Sequence, residues 1–347
     1  MGRKRPGVVD RWWMLLPIAL VALALQSGGT IAAAQAGEFP VFTSMSGVTP
    51  RGVAVDKVGH VYVSAGEVRA DGEHILIWKF TPAGEPSSFA EIGQGTIGGL
   101  AVTADGDLYV AMAAGAARGV WRVDREGQKE ILPNSNSIFF ANGLAFDDRG
   151  TLYVAESSSM ASPSRPGGLW RIPRGGQAEL CLRDELLTGT GALGQPVPFG
   201  ANGIAYYHGN LYVTNTEKGT VVRIPVWPDG SVGIPEHWAD IQDPLPGSPL
   251  AAKFPVPMGD GLALDVHGNL YVAVLTRSAV VRINAADLSQ ETVAAIPSSQ
   301  LDFPASLAFG TGKGERTNLF VTNLGLGGWA GPSLVKIDAG VPGRPLH

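Results

Sequence analysis

The stretch Asp260-Gly261-Leu262-Ala263-Leu264-Asp265-Val266-His267-Gly268-Asn269-Leu270-Tyr271-Val272-Ala273 reads as a β-hairpin. Leu262, Leu264, Leu270 and Val272 stand at period two, Asp265 to Asn269 supply the turn, and the alternation suits strands packed between neighbouring sheets. The same unit recurs at Gly52 to Ala65, Gly99 to Ala111, Gly143 to Ala155, Gly203 to Thr214 and, in degenerate form, Ser306 to Thr322. The opening positions are 47, 44, 60, 58 and 45 residues apart. Periods of this size, built wholly from strand-like segments, predict an all-β six-bladed β-propeller with four strands per blade.

Each hairpin is followed by a third strand-like run: Ile75 to Phe80, Gly119 to Val123, Gly168 to Ile172, Thr220 to Ile224, Ala279 to Ile283 and Ser333 to Ile337. Five repeats add a fourth, at Ser88 to Ile92, Lys129 to Leu132, Ala178 to Leu182, Glu236 to Ile241 and Glu291 to Ile296. The sixth has none, while Phe39 to Ser44 precedes the first repeat unassigned. Pairing that N-terminal strand with the C-terminal blade closes the ring and leaves no long unpaired edge. The propeller domain is expected over 38–340, with a poorly fixed tail from 341 to 347.

Ahead of it, Arg3, Lys4, Arg5 and Arg11 precede an apolar run from Trp12 to Leu25, and Ala34-Gln35-Ala36 gives a small-x-small site. This is the layout of a signal peptide over 1–36, and the run is short for a spanning helix. Secretion or export to the periplasm is expected, with an uncleaved membrane anchor as the alternative. Cleavage removes four of the 26 basic residues and one of the 31 acidic, leaving a net charge of −8. That disfavours a nucleic-acid partner. The single cysteine, Cys181, sits in an apolar-alternating run with no base beside it, as a structural thiol would. A monomer without disulfides is expected.

With strands running antiparallel from the axis outward, the start of each first strand, the second-to-third connection and the crossing between blades share one end, the upper mouth. The long segments Gly66 to Glu73, Glu156 to Gly167, Asp184 to Ala201, Gln242 to Gly259 and Asn323 to Pro332 all belong there, so binding is expected there. The residue before each repeat glycine faces the pore: Arg51, Gly98, Asn142, Asn202, Asp260 and, before Ser306, Ala305. One carboxylate and two amides at one repeat position form a candidate oxygen cage for a divalent cation, Ca²⁺ first, with Mg²⁺, Mn²⁺ or Zn²⁺ as alternatives. The competing explanation is that Asn-Gly and Asp-Gly merely tolerate left-handed turns.

Phe140-Ala141-Asn142-Gly143-Leu144-Ala145, Ala201-Asn202-Gly203-Ile204-Ala205 and Gly259-Asp260-Gly261-Leu262-Ala263-Leu264-Asp265 resemble successive metal-site motifs of the regucalcin/gluconolactonase (SMP-30/LRE-like) family of six-bladed propellers. The resemblance implies a cation on the pore axis and hydrolysis of lactones. It carries the metal-ligand role to Asn142, Asn202 and Asp260, but Arg51 stands where the family has a first-blade glutamate. Glu156 is the candidate replacement ligand. Arg51, Asn215 and Asn323, at strand ends of the same mouth, are candidate substrate contacts, and Asp260 and His74 candidate proton acceptors.

The expected activity is a cation-dependent hydrolase of a lactone or small ester. The alternative is a non-catalytic, NHL-like propeller binding a protein or polysaccharide through upper-mouth loops bearing Trp329 and Phe254. A pore plugged by Arg51 paired with Asp260 would favour that alternative.

Overall fold

The computed structural model describes residues 41–157, 167–193 and 198–346; the expected signal peptide and much of the loop Glu156 to Gly167 lie outside them. Six antiparallel four-stranded sheets stand around one axis. Their innermost strands are Thr49–Val55, Thr96–Val102, Ala141–Phe146, Ala201–Tyr207, Gly259–Leu264 and Pro304–Phe309. The period-two pattern accounts for them, because both faces of every blade are covered by a neighbour. The core is accordingly not central. It is divided among six clusters, one at each junction, such as Val53, Val55, Val61 and Val63 of blade one against Phe320 and Leu334 of blade six.

Three of the lower hairpin turns are fixed by their first aspartate. Asp56, Asp147 and Asp265 each accept two backbone N–H bonds through Oδ1, at 2.8–3.0 Å. Gly59, Gly150 and Gly268 in the same turns lie at φ 91, 81 and 82°, where a side chain would be strained.

Val41–Ser44 pairs antiparallel with Ser333–Asp338 and completes blade six, so the ring closes through the two ends of the chain. Two expectations are corrected. Gly66 to Glu73 is not a loop: strands Val61–Arg69 and Gly72–Phe80 pair continuously to Arg69↔Gly72, because the blade-one hairpin extends past the others. The tail beyond Val341 is fixed, not loose. Arg344 N–H donates to Leu264 O at 2.9 Å, its Nη2 meets Asp148 Oδ1 at 2.6 Å, and its guanidinium lies 5.3 Å from the Tyr206 ring centre. With Pro345 and Leu346 it lines the lower mouth of the pore.

Phe42 carries the closure, edge-on to Phe320 at 5.2 Å and to Phe80 at 6.4 Å. Phe42→Ala should destabilise the fold by about 2 kcal/mol, lowering Tm by roughly 3 °C for a domain of this size. Removing residues through 46 should expose an edge and raise light scattering on heating. A truncated protein as soluble and heat-resistant as the full mature chain would contradict closure by this strand.

Candidate functional site

In every blade the pairing of the first two strands slips beside the pore: between Pro50 and Val53, Ile97 and Leu100 (with a further slip between Thr96 and Ile97), Ala141 and Leu144, Ala201 and Ile204, Gly259 and Leu262, and Pro304 and Ser306. The skipped residues are those ahead of, and at, the repeat glycine in blades one to five, and Ala305 alone in blade six. Released from the ladder by these bulges, Arg51, Asn142, Asn202 and Asp260 line one upper-mouth cavity of about 180 Å³. The glycines themselves are not left-handed. A Cβ on Gly52 would come 2.9 Å from Leu100 N, and one on Gly261 2.8 Å from Ser306 Cα; on Gly143 and Gly203 it would overlap the carbonyl oxygens of Asn202 and Asp260. Close approach of neighbouring blades, not turn chemistry, thus requires glycine after Asn and Asp.

The orientation of the two amides follows from counting protons. Ser157 Oγ donates its one proton to Ala201 O (2.5 Å) and Thr216 Oγ1 to Gly259 O (2.9 Å). Each hydroxyl can then only accept, so Asn142 Nδ2 turns to Ser157 (3.1 Å) and Asn202 Nδ2 to Thr216 (3.0 Å). Both Oδ1 atoms are left without a donor among the described residues.

Asp260 completes the group. Burial pushes its carboxyl up to about 7, with the Arg51 charge and a hydrogen bond from Asn202 acting against the shift. Arg51 does not plug the pore: its Nε is buried without a hydrogen-bond partner, and it faces Asp260 and Glu73 electrostatically without pairing. Glu73, raised by burial and lowered by Arg51, is thus a blade-one carboxylate near the mouth, carried on the third strand instead of the first. Two amide oxygens and a carboxylate are hard donors suited to a divalent cation of the Ca²⁺ class; solvent and substrate must supply the remaining ligands, and Arg51 lowers the charge the site can neutralise. No group of three His, Cys, Asp or Glu side chains among the described residues offers another metal site.

Residues 71–325 match the model of the SMP-30/gluconolactonase/LRE-like region. The chain belongs to this family. Of solved structures, a gluconolactonase from Xanthomonas campestris is similar over 91% of this chain and 93% of its own, at 17% identity and TM-score 0.61. A calcium-binding regucalcin from Agrobacterium tumefaciens is similar over 91% and 99%, at 15% identity and TM-score 0.62. These likenesses are likenesses of fold. No curated protein matches the sequence.

Against this family frame, the other sequence candidates fall away from the pore. Glu156 is buried within blade three, accepting from Trp170 Nε1 (2.6 Å), Arg183 Nη2 (2.9 Å) and Phe139 N (3.2 Å), so it is not the replacement ligand. Asn215 donates to Leu186 O and Thr188 O, both at 2.9 Å, and Asn323 donates to Gln300 O at 2.7 Å while accepting from Asp302 N at 3.0 Å. These three pin the crossings between blades instead of contacting substrate. His74 faces outward between Glu91 (2.9 Å) and Asp71 (3.0 Å), which raise its pKa, and is no base for the pore. Phe254 is buried and Trp329 donates its Nε1 to Leu301 O at 2.7 Å, so neither is an exposed binding residue. Burial pushes the Cys181 thiol up to about 12, which keeps it inert as expected.

Missing from the sequence reading were the walls above the polar floor. Phe140, Leu193, Phe199, Leu275, Leu324 and Leu326 line the cavity from the connections of blades three, five and six. Their one signal in the sequence is that large apolar residues stand in connections where polar ones are usual.

Gly203→Ala should cost about 3 kcal/mol, since the methyl must move the Asp260 backbone. Gly99→Ala, whose Cβ would sit 3.2 Å from Asn142 O, should cost clearly less. Equal denaturation midpoints would sink the packing explanation. Asp260 also sets a pH dependence. The folded carboxyl holds its proton up to about pH 7 and the unfolded one to about 3.8, so the native state binds the extra proton in between. With chelator present, wild type should therefore lose stability relative to Asp260→Asn as pH rises from about 4 to 7, and hold a constant difference above that. A difference in Tm that does not change across this window would refute the raised pKa.

Proposed function

We propose that this protein is an exported, monomeric hydrolase that opens a lactone or small ester at the upper mouth, with a divalent cation, Ca²⁺ first, held by Asn142 Oδ1, Asn202 Oδ1 and the Asp260 carboxylate. The observation that carries the reading is the spent hydroxyl protons of Ser157 and Thr216, which leave two amide oxygens without a donor on residues that share a cavity with the Asp260 carboxyl. Membership of a gluconolactonase-containing family supports the lactone as substrate. The basic and apolar leader of residues 1–36 supports export.

When bound, the cation polarises the carbonyl oxygen and makes water a stronger acid. The chain's own groups do the rest. Asp260, the one carboxylate lining the cavity, accepts the proton of the attacking water. Water adds across the acyl C–O bond, its hydroxyl going to the acyl carbon and a proton to the departing ring oxygen. The unpartnered Arg51 donates hydrogen bonds to the carbonyl oxygen as charge grows on it, and then to the carboxylate of the hydroxy-acid product. An arginine suits that product better than the family's glutamate would.

Metal analysis of the purified mature protein, with a lactone and aryl-ester panel run with and without chelator, tests the proposal. Chelator should abolish hydrolysis and lower the Tm of wild type but not of Asp260→Asn. At a hundred times its Kd the cation should add about 2.7 kcal/mol of stability. Asp105→Asn, in an exposed turn of the other mouth, should behave as wild type. Arg51→Glu should tighten metal binding and slow hydrolysis. An inert panel, or hydrolysis indifferent to chelator, would remove the lactonase or the cation, respectively.

A further inference from the structure

We infer that the substrate carries an apolar acyl or aryl body and is not a polyhydroxylated sugar lactone; this rests on the hydrolase reading above and names the class of molecule that site takes. The cavity has two zones. Its floor is the polar ring of Arg51, Asn142, Asn202 and Asp260, and its walls are Phe140, Phe199, Leu193, Leu275, Leu324 and Leu326.

The walls are built, not incidental. Besides the six clusters at the blade junctions, the described residues hold two smaller apolar clusters, both at the upper mouth. One joins Phe140 to Phe199, edge-on with centroids 5.6 Å apart. The other joins Leu324, Leu275 and Leu326 to Phe254, Phe303 and Trp329, and is braced by the short helix Pro249–Lys253 through Leu250. No blade needs either cluster to close. Each presents side chains to the cavity from a different side of the pore.

A sugar lactone would fit these walls poorly. Each of its ring hydroxyls needs a partner, and the cavity's protein hydrogen-bonding side chains are few and gathered on the floor, where the cation and the lactone's own carbonyl compete for them. Hydroxyls turned toward leucine and phenylalanine lose their water without compensation. An alkyl or aryl substituent there gains from leaving water instead. Arg51, on the floor, fixes which end of such a molecule points down, because its guanidinium calls for an acceptor such as the ester carbonyl.

The test is a homologous series of γ- and δ-lactones with side chains from none to eight carbons, assayed beside glucono-1,5-lactone on the full mature protein with cation present. Expected is a rise in kcat/KM of roughly three- to fourfold per added methylene over the first four carbons, with glucono-1,5-lactone below the alkylated members. Leu326→Asn should cut the ratio of long-chain to unsubstituted kcat/KM at least fivefold. A flat series, or preference for glucono-1,5-lactone, overturns the inference while leaving the hydrolase standing. Calorimetry with the matching alkyl lactams, which resist hydrolysis, separates the two ideas. Affinity that grows with chain length supports the apolar pocket even if no lactone is opened; affinity indifferent to chain length rejects it.

Discussion

The closest constraint in this molecule is the distance between the inner strands of adjacent blades. At the repeat glycine that distance leaves no room for a Cβ, so Gly52, Gly143, Gly203 and Gly261 are required by their neighbours and not by their own backbone angles. A six-fold ring drawn this tight must bend each inner strand where it meets the pore. The bulge that accommodates the bend releases the residue ahead of the repeat glycine from the ladder. Packing between blades and presentation of the site are therefore one structural event. The hydroxyls of Thr214 and Thr322 reinforce it, each bridging its own inner strand to the backbone of the next blade, at Asp260 O and Arg51 O.

What the released residues can do is decided by hydrogen-bond supply. Two hydroxyls that have already donated engage the nitrogens of two amides and leave the amide oxygens unspent. One arginine, left without an acceptor, supplies donors to the same space. The result is a small chamber with oxygen acceptors, one carboxylate and one guanidinium, a balance unlike that of two carboxylates. In this respect the chain keeps the architecture of its family around a pore that carries a cationic side chain, Arg51.

The two mouths are made differently. Below, short turns, three of them fixed by aspartates, and the docked tail around Arg344 line the mouth. Above, long crossings are held by Glu156, Asn215 and Asn323, buried groups that each satisfy backbone atoms of a neighbouring connection. A wall made of loops can hold its shape only if those loops are anchored, and these anchors allow leucine and phenylalanine to stand around a polar floor.

The sequence by itself determined the blade count, the ring closure and the position of the pore residues. All three depend on period: alternation of two within strands and some 44 to 60 residues between repeats survive in any linear reading. The equivalence of Asn142, Asn202 and Asp260 is legible for the same reason. Tertiary structure alone decided which polar groups reach the pore. Glu156 and Glu73 are both acids near a strand end, yet one is taken up by Trp170 and Arg183 and the other lies by Arg51. His74 and the tail were decided by contacts with Glu91, Asp71, Asp148 and Tyr206, none predictable from local pattern. The apolar walls combine residues as far apart as Phe140 and Leu326. Their meeting is a product of ring geometry, and no window of sequence contains it.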